Sequence, residues 1–199
     1  KYTEFKFTEV QMSDFNSLTA SKLGDLIGKG EIDPVELTEY FISQIELSPI
    51  GKKIYSTVTS QLALEQAKDS KIRAKLGRRL SSLDGVPISW KDLFDITGYP
   101  CEAGSDLLAG RLANKKAKVY NFAEAHGLIC LGKTHMSELA FSGLGLNPVK
   151  ETPPCINYPE AVPGGSSSGA ATSVAFGLAA AGIGSDTGGS VRIPAAWND

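Results

Sequence analysis

Two Gly-Gly-Ser triplets stand in one stretch of the sequence, Gly164-Gly165-Ser166 and Gly188-Gly189-Ser190. A serine hydroxyl is a weak nucleophile until a base takes its proton. Glycines just before a serine let consecutive backbone N–H groups converge into a nest that can hold an oxyanion. Asp186-Thr187-Gly188-Gly189-Ser190 offers both parts. Ser190 could attack a carbonyl carbon whose oxygen the nest receives. The base is the harder question. The only histidines, His126 and His135, both precede these serines. Lysine can replace histidine if it is neutral, and burial lowers its pKa toward that state. Lys91 is the best candidate, because Trp90, Leu93 and Phe94 flank it with apolar side chains.

Two other motif matches fail on context. Gly165-Ser166-Ser167-Ser168-Gly169 fits G-x-S-x-G, which would make Ser167 the nucleophile of a strand-to-helix elbow. That fold orders its triad serine, acid, histidine, and no histidine follows residue 135. Gly127 to Thr134 fits the phosphate-loop string G-x-x-x-x-G-K-T. A phosphate loop needs its middle residues to curl so that amides face phosphates. Leu128-Ile129-Cys130-Leu131 reads instead as a buried strand, with the opening glycine on its wrong side. Lys133 then reads as a loop residue that packs or solvates.

The elements that must position these residues follow from periodicity. Leu18, Leu23, Leu26 and Ile27 recur at helical spacing before Gly28 and Gly30. Asp33-Pro34 supplies an N-cap and a first-turn proline for a second helix running to about Leu47. Ser60 to Leu76 reads as a third helix, charged on one side. These three form a helical layer. After the Asp84-Gly85 turn, Val86 to Trp90 is a strand with Lys91-Asp92 at its end. Further on, a helix ends at Gly127 and a strand covers Leu128 to Gly132. A short helix spans Met136 to Phe141, and a small-residue helix spans Ala170 to Ala181. A short strand and turn follow in Ala181 to Asp186. Alternating strand and helix predicts an α/β fold with a substantially parallel or mixed sheet.

Bulk properties narrow the function. The chain has 199 residues, with 20 basic and 22 acidic side chains and a net charge of -2. That length supports a real core. No basic block marks a nucleic-acid or membrane-surface role, and no apolar run reaches the ~20 residues of a membrane span. Cys101, Cys130 and Cys155 form no C-x-x-C pair, which fits reduced thiols in a cytoplasmic protein and argues against a metal site.

Three separated blocks carry a resemblance. GGSSSGAATSVAFGLAAAGIGSDTGGSVRIPA resembles the signature of the amidase signature family, LDGVPISWKDLFDITGYPCEAGS its lysine segment, and GLICLGKTHMSELAFSGLGLNP the segment between. The resemblance covers roughly Leu83 to Asn198. It implies a single amidase domain over 1–199, with 1–80 a mostly helical cover and 81–199 the catalytic sheet region. The implied fold is a central mixed β-sheet covered by helices on both faces. The family's Ser–cis-Ser–Lys triad falls on Ser190 as nucleophile, Ser166 after a cis peptide bond as relay, and Lys91 as base. Its oxyanion donors fall on the backbone of Thr187, Gly188, Gly189 and Ser190. Ala140, with Phe141 and Ser142, falls where the family lines its substrate pocket.

The resemblance further implies hydrolysis of a small-molecule carboxamide in the cytoplasm, with neither cofactor nor metal. It allows a homodimer. Family members are much longer, whereas nine residues follow Ser190 here. The expectation is therefore an N-terminal portion whose partner is the missing C-terminal part of the same polypeptide. Alone it should be unstable or inactive. HMSELAFSGLGLNP looks more like the stand-alone amidases. The alternatives are the glutaminase-type subunit of a tRNA-dependent amidotransferase and a nucleotide-binding domain resting on Gly127 to Thr134.

Overall fold

Asp33 starts the second helix as its sequence suggests: its carboxylate accepts the Val35 N–H at 2.9 Å and Pro34 occupies the first turn. We describe a computed structural model, which covers residues 12–199; residues 1–11 of the expected helical cover lie outside it. Helix α1 (Ala20–Gly28) is capped by Thr19, whose side chain accepts the Lys22 N–H. Helix α2 spans Pro34–Leu47 and buries Leu37, Phe41 and Ile45 on one face. A short helix α3 (Gly51–Ile54) and strand β1 (Tyr55–Val58) follow it. Helix α4 (Ser60–Lys75) packs back on α2, and Lys71 pairs with the Asp33 carboxylate at the start of α2.

Strands β2 (Pro87–Lys91) and β3 (Ile129–Thr134) are buried along their whole length, including the polar Ser89, Lys91, Lys133 and Thr134 that interrupt their apolar runs. With β1 and a two-residue strand β4 (Gly182–Ile183) they form a sheet of order β1-β3-β2-β4. The β1–β3 pair is antiparallel; β3–β2 and β2–β4 are parallel, so the sheet is mixed. Side chains alternate across β2 and show what covers each face. Trp90 meets Tyr120 of helix α5 (Lys118–Ala125), with ring centroids 5.0 Å apart. Ser89 points the other way, its Oγ 2.7 Å from Ser173 Oγ on helix α6 (Ser168–Ala175). Helices therefore lie on both faces.

Several local expectations change. Helix α6 stops at Ala175 rather than Ala181. Gly177 adopts φ 67° and the Leu178 N–H closes onto Ser173 O at 2.7 Å. Beyond it Ala180 N–H donates to Pro87 O and Ala181 O accepts from Ser89 N–H, so sheet pairing overrides the helix propensity of alanine. The expected helix around Met136–Phe141 is only a 3-10 turn, Glu138–Ala140, with Leu139 and Ala140 at φ 50° and 58°. A terminal helix α7 (Arg192–Asn198) adds to the expected elements. Lys133 is no loop residue. It sits in β3, fully buried, with its ammonium 2.6 Å from Asp92 Oδ1 and 3.0 Å from Pro100 O.

Candidate active site

Lys91 ends β2 and has no solvent exposure. Its burial does not come from the flanking apolar residues that the sequence offered. Strand alternation sends Trp90 to the opposite face, where it also meets Phe94, and Leu93 is 38% exposed. Lys91 is enclosed instead by the segments on either side of α6. Its Nζ lies 2.7 Å from Ser166 Oγ and 2.8 Å from Ser185 Oγ, with Ser185 O at 3.5 Å. Burial pushes the ammonium down to about 8, with the Asp186 carboxylate pulling the other way. A lysine of that kind is part neutral near pH 7 and can accept a proton.

Ser166 is held from three sides. The Gly165–Ser166 peptide bond is cis, as the resemblance implied. The Gly164 and Gly165 N–H groups donate to Leu144 O and Gly143 O at 3.0 and 2.8 Å, and Ser166 O accepts from Ser137 N–H at 3.1 Å. Residue 165 must be glycine, since a Cβ there would stand 2.6 Å from Gly145 N and from Ser137 Oγ. The neighbouring Ser167, central in the rejected elbow motif, is a staple. Its Oγ donates to Ser185 O, and accepts from Ser185 N–H, at 3.3 Å.

Ser190 joins this group through its backbone. Ser167 N–H donates to Ser190 O at 3.0 Å, one residue beyond Ser166. The Ser190 side chain is half-buried, and its hydroxyl makes no hydrogen bond among the described residues. The turn before it is built on Asp186. That carboxylate accepts N–H groups from Gly189, Val191 and Arg192 at 2.8, 3.1 and 3.2 Å, and the Arg192 guanidinium at 3.0 and 2.9 Å. The Arg192 side chain, followed by the Val191 N–H, holds the Asp186 carboxyl well below the usual range. Of the four expected oxyanion donors, Gly189 N–H is thus taken up by Asp186. The N–H groups of Thr187, Gly188 and Ser190 meet no protein acceptor among the described residues, and Thr187 and Gly188 are exposed.

Ala140 lies on the loop that runs into the Gly143–Gly145 segment beside Ser166. Ile193 bridges that loop to the Ser190 turn, for a Cβ on Gly143 or Gly189 would come within 3.4 or 2.8 Å of its Cδ1. Leu139, Phe141 and Leu144 stand exposed on the same loop. A cavity of about 190 Å³ lies between α6, β4 and α7, with Ser167 and Val191, the neighbours of Ser166 and Ser190, in its wall. Lys91, Ser166 and Ser190 themselves do not line it. The thiols of Cys101 and Cys130 are pushed up to about 11 by burial, which removes them as rival nucleophiles.

Sequence reasoning missed Ser185, and it named Asp186 without its role. The role had a local signal, because an Asp three residues before a glycine readily accepts backbone N–H groups in a turn. Ser185 had none, since its partner is 94 positions away.

A family model described as Amidase matches residues 36–199. The chain belongs to the amidase signature family. Among curated relatives, a glutamyl-tRNA(Gln) amidotransferase subunit from Chloroflexus aurantiacus is 36% identical over 185 residues, covering 93% of this chain and 38% of that protein. Its counterpart of the same name from Anaeromyxobacter dehalogenans is 40% identical over 168 residues, covering 83% and 34%. Among solved structures, the peptide amidase of Stenotrophomonas maltophilia superposes with a TM-score of 0.83 at 27% identity, covering 98% of this chain and 39% of that one. A bacterial aryl acylamidase superposes with a TM-score of 0.83 at 29% identity, covering 91% and 38%. This amidase-family chain thus spans less than two-fifths of the length of these relatives.

Proposed function

We propose that this chain carries the chemistry of an amidohydrolase that cleaves a carboxamide C–N bond through an acyl-enzyme on Ser190. The observation that supports it best is the buried Lys91 Nζ, 2.7 Å from the hydroxyl of Ser166, the residue after the cis bond. Neutral Lys91 takes the proton of Ser166 Oγ while Ser166 takes that of Ser190 Oγ. Ser190 Oγ then bonds to the carbonyl carbon. The carbonyl oxygen becomes an oxyanion that the N–H groups of Thr187, Gly188 and Ser190 receive; Gly189 joins them only if its N–H leaves Asp186. Collapse breaks the C–N bond, and the proton returns from Lys91 through Ser166 to the leaving nitrogen. Water repeats the route on the acyl-enzyme and releases the acid. Every step uses side chains and amides of this chain alone. Ala140 and its loop line the substrate pocket in this reading.

Residues 12–199 act as one domain in this reading, with α1, α2 and α4 covering the sheet region that holds the signature. No described helix is long and apolar enough to cross a membrane; we place the reaction in the cytoplasm, where Cys101, Cys130 and Cys155 would stay the free thiols they are here.

The second reading is a glutaminase that feeds ammonia to an amidotransferase. It is favoured by the amidotransferase subunits found among the relatives at 36–40% identity, whereas the solved amidases stand at 27–29%. Ammonia release from a carboxamide panel and from glutamine separates the two. Turnover of several carboxamides supports a general amidase, and release from glutamine alone supports the second reading. No release from any amide by the folded full-length polypeptide overturns both.

A further inference from the structure

Lys91 has a second hydroxyl partner that the proton relay does not use. Ser185 follows β4, and its Oγ lies 2.8 Å from Lys91 Nζ, nearly as close as Ser166 Oγ at 2.7 Å. Ser185 O lies on the same side at 3.5 Å. Ser185 is itself fixed, because its N–H and C=O both engage Ser167 Oγ at 3.3 Å. A neutral lysine amine has two N–H donors and one lone pair. It works as a base only when the lone pair, not an N–H, faces the proton it must take. We propose that Ser185 is the positioning residue that orients Lys91. Its hydroxyl and carbonyl take the two N–H groups of the neutral amine, and the lone pair is left facing Ser166. This rests on the amide-cleaving reading above.

The same contact has an electrostatic consequence of definite sign. A hydroxyl oxygen accepting from Lys91 stabilises the ammonium more than the amine, so its removal lowers the proton affinity of Lys91. The other charged groups around the lysine stay in place. On the β4 side these are Asp186 and its partner Arg192, and at the ends of β2 and β3 they are Asp92 and its partner Lys133. Helix α6 offers only Ser, Gly, Ala, Thr and Val side chains.

The test compares Ser185→Ala and Ser185→Thr with wild type by two readouts. The first is the pH–rate profile for a hydrolysed carboxamide. The second is the Lys91 titration by 13Cε-lysine NMR without substrate, with the Lys91 signal assigned by its loss in Lys91→Arg. Ser185→Ala should lower the plateau rate by about tenfold, on the scale of one lost hydrogen bond. It should also move the acid limb and the NMR titration to lower pH together, by about half a unit. Ser185→Thr, which keeps a hydroxyl, should stay nearer wild type in both. A general packing defect would lower the rate without moving the limb downward. An active wild type whose plateau and acid limb are unchanged by Ser185→Ala overturns the proposal. So does a lowered rate with the Lys91 titration unmoved. If the full-length wild type hydrolyses no amide, the functional reading fails instead, and the NMR titration still reports whether Ser185 holds the lysine.

Discussion

In the proposed mechanism the acid limb of the reaction belongs to Lys91, and its position follows from the burial of that lysine. Burial lowers this lysine from 10.5 to about 8. The neutral form is the base, so the rate rises with pH and levels off above the lysine's pKa. At pH 7 a group with a pKa of about 8 is about one-tenth neutral, whereas an ordinary lysine is neutral in only about one molecule in 3,000. The buried site thus gains roughly 300-fold in active base at neutral pH. Asp186 opposes part of this shift, so Asp186→Asn should move the limb to lower pH. The same substitution replaces one of two oxygens that together accept three backbone N–H groups and Arg192, so the plateau should fall as well. The rate at which a fluorophosphonate labels Ser190, followed by mass spectrometry from pH 6 to 10, reads this without knowledge of the natural amide. A tenfold rise per pH unit below about 8, then a plateau, is the expected profile. A flat profile from pH 6 to 9, or a limb still rising at pH 10, would refute the assignment of Lys91 as a buried, pKa-lowered base.

Two further substitutions test how the site is held. Lys133→Met leaves Asp92 as a buried carboxylate without its cation, which should cost about 3–5 kcal/mol and lower Tm by on the order of 10 °C; Lys133→Met with Asp92→Leu should recover much of that in a thermal melt. Gly165→Ala puts a Cβ within 2.6 Å of Gly145 N and Ser137 Oγ. It should displace Ser166, so fluorophosphonate labelling of Ser190 should fall at least tenfold while the circular dichroism spectrum stays near wild type.

Much of the scaffold was legible because its signals are local. The Asp33-Pro34 cap set the start of α2, and the apolar runs at Val86–Trp90 and Leu128–Leu131 marked β2 and β3. The same strand assignment removed the phosphate-loop reading. What failed depends on distant partners. Three consecutive alanines, Ala179 to Ala181, favour helix, yet Leu178 to Ala181 leaves α6 to join β2, a choice made by sheet pairing. Strand β1 is short, and its pairing with β3 is interrupted by a bulge, so its sequence carried little periodicity. Lys133 looked like a solvated lysine because the carboxylate that neutralises it, Asp92, lies 41 positions away. For Lys91 the burial was anticipated and its cause was not. Its neighbours Trp90 and Leu93 do not bury it; the loops around α6 do. At the second Gly-Gly-Ser, Gly189 gives its N–H to Asp186, a turn contact that the Asp-x-x-Gly spacing offered and the oxyanion reading overlooked.

The central claim is that Ser190, activated through Ser166 and Lys91, becomes acylated during amide cleavage. The direct measurement is peptide mapping by mass spectrometry of the protein quenched with acid during turnover of a carboxamide, or trapped with hydroxylamine. An acyl group on the peptide containing Ser190, absent in Ser190→Ala and strongly reduced in Ser166→Ala and Lys91→Ala, is the predicted result. Turnover with no acyl group on that peptide, or full acylation of Ser190 in Lys91→Ala at neutral pH, would contradict it.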